Sequence, residues 1–136
     1  MGGEASIKDA RDLALLAASI VSEKKGEDVV ILDLRRFSYV TDYFVICSGR
    51  STIHVRSLAD ALIEGLGKIG VDAWHIEGYE HSLWVLLDYG DVVVHLFHEP
   101  LRNYYNLERL WGDADIVPLE ESVEGSAVTK RGMMEG

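Results

Sequence analysis

Apolar and polar positions alternate most clearly in this chain between residues 83 and 97. Two apolar runs flank the segment Asp88-Tyr89-Gly90-Asp91, which is typical of a tight turn in which glycine supplies unusual backbone angles. The pattern therefore predicts a β-hairpin. If the turn is formed by residues 89 and 90, Trp84 pairs with His95 across the two strands.

The two faces of this hairpin differ in composition, because successive side chains of a strand point to opposite sides. One face is wholly aliphatic, as expected for a surface that a helix covers. The other face, called the mixed face below, combines large aromatic rings with a polar tip, which favours a protein-binding hot spot over a dry core. A second helix layer over Trp84 is the alternative, and the pattern alone does not separate the two. The aliphatic face carries Leu83, Val85, Leu87, Val92, Val94 and Leu96, and the mixed face carries Trp84, Leu86, Val93, His95 and Phe97.

Elsewhere the periodicity predicts three helices and three further strands. Ser6 with Asp9 resembles a capping box, Ser51 is a candidate N-cap, and Pro100 suits the first turn of the last helix. The order α-β-β-α-β-β-β-α, with an antiparallel final pair, predicts an α/β (α+β) fold whose mixed β-sheet has helices packed mainly on one face. The predicted helices span 6–24, 51–69 and 100–111, and the strands outside the hairpin span 28–34, 42–48 and 71–77.

Length and periodicity also bound the domain organisation. A chain of 136 residues can form one hydrophobic core but not two comfortable domains. Periodicity is lost beyond Pro118, where acidic and small residues prevail. We therefore expect one domain over residues 1–114 and an acidic, disordered tail over residues 115–136.

The net charge of the chain limits the classes of molecule that it can bind. The net charge is −10, and both parts are acidic, since residues 113–136 hold six acidic and two basic residues. Such a surface cannot gain affinity by releasing counterions from phosphates, so broad direct binding to nucleic acid is disfavoured and a basic protein partner is favoured. Acidity that serves only solubility is the alternative.

No apolar run approaches a membrane span, and no secretory signal precedes the first helix. The first six residues formally fit a myristoylation pattern, but no basic cluster follows, so no membrane partner is expected. The single cysteine, Cys47, permits no internal disulfide and suits a reducing compartment. These features favour a cytoplasmic location.

The titratable residues do not form a recognisable active site. The five histidines show none of the spacings of a metal site, and His95 is interpreted as a sheet residue hydrogen-bonded to, or stacked beside, Trp84. Asp88 and Asp91 are separated by a turn and could accept its backbone N–H groups, whereas nucleotidyl transfer needs two carboxylates alternating on one strand to share magnesium. Cys47 has no nearby base in the sequence. We therefore expect no catalytic residues, no cofactor and no metal.

Asp42 and Tyr43 follow a polar and aromatic loop, residues 38–41, that lies between two predicted strands. Loops of this kind carry function more often than core strands do. Both residues are therefore candidates for the same surface as the hairpin.

Several motifs, in this order, resemble the ribosomal silencing factor (Iojap) family, over about residues 6–114. One departure is Leu83, where the family usually has a small or polar residue. The acidic tail lies outside the family core, so the resemblance implies nothing about it. The motifs are Thr41-Asp42-Tyr43-Phe44-Val45-Ile46, Ser48-Gly49-Arg50-Ser51, His54-Val55, Glu77-Gly78, Trp84 to Asp91, Val94-His95-Leu96-Phe97 and Arg102 to Trp111.

The resemblance implies a nucleotidyltransferase-like fold without the catalytic carboxylates, and a protein that is not an enzyme. It implies binding to ribosomal protein fourteen on the large ribosomal subunit, a steric block to joining of the two subunits, repression of translation under nutrient limitation, and a homodimer when free. Two alternatives stay open: a magnesium-dependent nucleotidyltransferase-like enzyme, and a homodimeric scaffold without ribosome binding. Carried onto this chain, the partner-binding residues are Trp84 as anchor, Leu86, Val93 and His95 beside it, Asp88 and Asp91 as acidic contacts, and Asp42 and Tyr43 as weaker additions.

Overall fold

The computed structural model describes residues 9–37, 41–106, 112 and 114–119. Its elements follow the predicted order, which is confirmed, and one further strand follows the last helix. The elements are α1 (Ala10–Glu23), β1 (Glu27–Asp33), β2 (Tyr43–Gly49), α2 (Thr52–Gly67), β3 (His75–Glu77), β4 (Trp84–Asp88), β5 (Val92–His98), α3 (Glu99–Tyr105) and β6 (Asp115–Ile116).

The strands form one six-stranded sheet in the order β3-β4-β5-β2-β1-β6. The central pair, β2 and β5, is parallel, and the other neighbouring strands are antiparallel. The predicted mixed sheet is therefore confirmed, with β3 at one edge and β6 at the other.

Helices α1 and α2 pack on the aliphatic face of the sheet. Val85, Leu87 and Leu96 of the hairpin are fully buried there, together with Leu58 and Leu62 of α2. Removal of such side chains from water is the main favourable term in folding. Leu83 was assigned to the same face, but it lies before β4 and is 45% exposed, so it takes no part in this core.

The helix starts follow local capping chemistry. The Asp9 carboxylate accepts a hydrogen bond from Asp12 N, and the Ser51 hydroxyl accepts one from His54 N. The Ser51 prediction is confirmed, whereas Ser6 lies outside the described residues. Among those residues, no helix is long and apolar enough to cross a membrane.

The C-terminal part of the sheet extends beyond residue 114, where the tail was expected to begin. Asp115 and Ile116 pair with β1, Val117 N donates to Ile31 O, and the Val117 side chain is buried in the main core. A two-residue strand offers no periodicity, so the sequence pattern gave no sign of it. The rest of the expected tail, residues 120–136, lies outside the described residues.

The predicted strand 71–77 is shorter in the structure. Val71 N donates to Leu66 O and so completes the end of α2 instead of joining the sheet. Helix α3 ends at Tyr105, where Asn106 adopts a left-handed conformation as its C-cap. Residues 107–111, predicted to continue this helix, lie outside the described residues.

Candidate protein-interaction surface

The mixed face belongs to a second apolar layer on the side of the sheet opposite α1 and α2. Its centre is buried, while its margin, which includes Trp84, is only partly buried. Leu101 of α3 and Ala114 pack against it, so this face is partly covered by the chain itself. The buried centre comprises Leu32, Leu34, Ile46 and Phe97, and the margin comprises Val30, Phe44, Trp84, Leu101 and Ala114.

The hairpin register differs from the predicted one by two positions. Tyr89 N donates to Val92 O, so Gly90 and Asp91 form the turn, and Trp84 pairs with Phe97 instead of His95. The Asp88 carboxylate accepts a hydrogen bond from Gly90 N at 2.8 Å, and Gly90 has a φ of +91°, which glycine adopts without strain. A shift of two residues leaves every side chain on its predicted face.

Two aromatic side chains, Phe97 and His95, hold the Trp84 indole in one orientation. Its ring stacks on Phe97 with centroids 4.8 Å apart, and its Nε1–H donates to Nδ1 of His95 at 3.1 Å. The His95 ring in turn meets Phe44 edge to face, at 4.4 Å. These contacts confirm the interpretation of His95 as a sheet residue that is hydrogen-bonded to Trp84.

His95 is only 4% exposed, and burial lowers the pKa of its imidazole to about 4. Because Nδ1 accepts the indole N–H, the proton of the neutral ring lies on Nε2. That Nε2 atom is buried and has no hydrogen-bond partner among the described residues. His95 therefore supports Trp84 from beneath and does not offer a contact of its own.

The remaining candidates divide by accessibility. Leu86, Asp88 and Asp42 are half-buried, Asp91 is exposed, and Val93 is buried. The amides of residues 42 and 43 both donate to Asp91 O, at 2.9 and 3.0 Å, so the loop before β2 and the hairpin turn meet, as expected.

The prediction that Tyr43 lies on the same surface as the hairpin is wrong. Tyr43 is 1% exposed and lies in the main core, on the same face of β2 as Val45 and Cys47. Burial raises the pKa of its hydroxyl, and the Arg35 guanidinium lies 5.4 Å from the ring centroid. A residue at this position of the strand points towards the helices, so Tyr43 cannot contact a partner at the mixed face.

The loop before β4 is fixed to α2 by a set of contacts that sequence reasoning missed. The Arg56 side chain donates to Ser82 Oγ at 3.3 Å and to Glu80 O, and it lies over the Tyr79 ring. The Tyr79 hydroxyl donates to Asp60, also on α2, at 2.7 Å. This group, called the Arg56 latch below, sets where β4 and therefore Trp84 begin.

Sequence reasoning also missed Trp74, which is 79% exposed beside the hairpin turn. A signal was available in the charges around it, because residues 69–101 contain six acidic residues and no lysine or arginine.

The described residues offer little for catalysis. They contain no group of three or more His, Cys, Asp or Glu side chains that could hold a metal ion. The Asp88 carboxylate is engaged by the turn, as expected from the sequence. At the Gly49-Arg50-Ser51 turn, Arg50 pairs with Glu27 at 3.1 Å. Burial raises the pKa of the Cys47 thiol to about 12, so it is not a ready nucleophile.

Comparison with known proteins gives one consistent result. Residues 7–134 match the family model described as "Ribosomal silencing factor during starvation". The chain is 46% identical to ribosomal silencing factor RsfS of Halalkalibacterium halodurans over 110 residues, which cover 81% of this chain and 94% of that protein. Its identity to ribosomal silencing factor RsfS of Bacillus subtilis is 41%, over 81% of this chain and 93% of the relative. A crystal structure of a Chromobacterium violaceum protein superposes with a TM-score of 0.75 at 34% identity, covering 77% of this chain and 88% of the other.

Proposed function

Because the chain belongs to the ribosomal silencing factor (Iojap) family, we propose that it represses translation by binding the large ribosomal subunit and blocking its joining to the small one. The contact on the ribosome is ribosomal protein fourteen, and the block operates in the cytoplasm under nutrient limitation. The free protein is a homodimer, and it acts by steric exclusion, without catalysis.

The observation that carries this proposal is the orientation of Trp84. Its ring is held by Phe97 and His95 yet stays partly accessible, next to the half-buried Leu86. An aromatic side chain that is fixed before binding loses little conformational entropy on association, and such residues dominate hot spots.

Charge supports the same kind of partner. Asp88 and Asp91 lie at the end of the hairpin, and the whole chain has a net charge of −10. Complementary charges steer encounter with a basic protein and disfavour contact with ribosomal RNA alone. Association should therefore weaken as ionic strength rises.

Co-sedimentation with purified large and small subunits tests the proposal. We expect the protein to pellet with large subunits only and to lower the yield of joined ribosomes. Leu86→Lys, which places a positive charge on the mixed face, should weaken binding at least about tenfold. Leu83→Lys is the matched control, since Leu83 is an exposed leucine of the same segment outside that face.

The proposal is overturned if the wild-type protein does not pellet with large subunits, or if Leu86→Lys binds them with wild-type affinity. Binding that is lost together with self-association, while joined ribosomes still form, would favour the homodimeric scaffold. A nucleotide- and magnesium-dependent rise in melting temperature would favour the enzyme, because a ligand that binds only the folded state stabilises it. We expect no such rise.

A further inference from the structure

The exposed indole of Trp74 is held against the hairpin turn. Trp74 N donates to Asp88 O at 2.7 Å, and a β-carbon placed on Gly90 would lie 3.1 Å from two atoms of the indole ring. One side of the ring therefore rests on the turn, while the residue as a whole stays 79% exposed. An anchored tryptophan that leaves most of its surface in water is unusual unless a partner covers it.

The charges around this ring select the partner. Asp72 precedes Trp74 by two residues and is exposed, Asp91 follows Gly90 and is exposed, and the Asp88 backbone binds Trp74 directly. We call this region, formed by Asp72, Trp74, Asp88 and Asp91, the acidic tip. It lies in the segment 69–101, so no lysine or arginine of that segment neutralises it.

We infer that the acidic tip is a second docking point, at which the Trp74 ring stacks against an arginine or lysine side chain of a basic protein. The quadrupole of an indole attracts a cation over its face, and the neighbouring carboxylates add to that attraction. Phosphate groups of nucleic acid would be repelled, and a second copy of this chain would bring the same negative charges to the contact. This inference rests on the proposed function, because the arginine or lysine that stacks on Trp74 would belong to a protein of the large ribosomal subunit.

The tip lies at the turn end of the hairpin and Trp84 at its other end, where it pairs with Phe97, so a single partner surface that runs along β4 can reach both. Asp88 connects them, since its backbone binds Trp74 and its position on β4 lies on the face of Trp84 and Leu86. Two contacts on one rigid element add affinity without further ordering of the chain.

The test is the affinity of purified large subunits for wild-type protein and for three variants of Trp74, at low and at high salt. Trp74→Ala should weaken binding about tenfold, as loss of one aromatic anchor does. Trp74→Phe should retain most of the affinity because it keeps an aromatic face, while Trp74→Leu should behave like alanine. The effect of Trp74→Ala should shrink at high salt.

Ile53→Ala is the matched control. Ile53 is 81% exposed and lies in the first turn of α2. This helix begins after the end of β2 that is distant from the hairpin turn, so removal of the Ile53 side chain should leave affinity unchanged. If either Trp74→Ala or Trp74→Leu binds large subunits like wild type, this inference is overturned, while the proposed function is not. An effect confined to self-association of the free protein identifies a second copy as the occupant and also overturns it. Failure of the wild type to bind large subunits is instead the failure of the proposed function.

Discussion

The indole N–H of Trp84 donates to Nδ1 of His95 across the β4–β5 pair, over 3.1 Å. The two residues are diagonal neighbours on one face, since Trp84 pairs with Phe97 and Leu86 pairs with His95. The bond ties the orientation of the proposed anchor to the protonation state of a buried imidazole. A protonated His95 would direct a second N–H at the indole N–H, so the contact requires the neutral ring.

The free energy of unfolding should decrease as pH is lowered from about 6.5 to about 4, because of His95. Burial lowers the pKa of this residue to about 4, whereas the unfolded chain keeps the ordinary value of 6.5. The unfolded state therefore binds more protons in this window, and the free energy of unfolding decreases as pH falls through it, by at most about 3 kcal/mol. Urea denaturation at several pH values measures the slope.

The His95→Gln variant provides the comparison for that slope. Glutamine keeps an acceptor for the indole but does not titrate, so the pH dependence between 6.5 and 5 should flatten. Equal slopes in wild type and His95→Gln would rule out a neutral, buried His95.

Truncation of Trp84 should cost stability as well as binding. Trp84→Ala removes the stacking on Phe97 and leaves Nδ1 of His95 buried without the indole donor. We expect the free energy of unfolding to drop by about 2–3 kcal/mol, from lost apolar contact plus an unsatisfied polar atom.

Trp84→Phe separates the two contributions, since it keeps the stacked ring and removes only the N–H. It should lose about 1 kcal/mol in thermal or urea unfolding. If Trp84→Phe is as unstable as Trp84→Ala, the stacking on Phe97 contributes nothing.

Gly78 should tolerate alanine far less than Gly70 does, although both have positive φ angles of +80° and +84°. A β-carbon on Gly78 would lie 2.0 Å from Trp84 O, whereas one on Gly70 would meet nothing within 4 Å. Gly70→Ala should cost only the left-handed strain of about 1–2 kcal/mol, and Gly78→Ala should cost more, because backbone must move. Urea unfolding of the two variants side by side gives the difference, and equal losses would contradict the close approach of Gly78 to β4.

The Arg56 latch should hold the loop before β4. Arg56→Ala removes the bonds to Ser82 and Glu80 and the contact with the Tyr79 ring, so we expect faster hydrogen exchange at Ser82 N, which donates to Gly78 O. The loss of global stability should be about 1 kcal/mol. Lys68→Ala, which removes an exposed cation 3.9 Å from Glu64 on the same helix, is the control and should leave this exchange rate unchanged.

The sequence pattern predicted the element order and the two faces of the hairpin, because strand alternation depends only on neighbouring positions. It missed the register, since a shift of two residues preserves the alternation, and the turn is identified only by the hydrogen bond from Tyr89 N to Val92 O. It placed Tyr43 on the wrong face of the sheet because Tyr43 was grouped with the preceding loop. Its alternation with Val45 along β2 would have placed it on the core face. Trp74 and the Arg56 latch depend on contacts between distant segments, which no local pattern reports.

The parallel pairing of β2 with β5 has a kinetic consequence. These central strands are joined only through α2, β3 and β4, so the middle of the sheet cannot form until that whole excursion has closed. Closing a long loop before its contacts stabilise it raises the entropic barrier, and chains rich in such distant pairings reach the native state slowly. A newly made chain therefore completes its central sheet late, only after the hairpin that carries Trp84 has left the ribosome's exit tunnel.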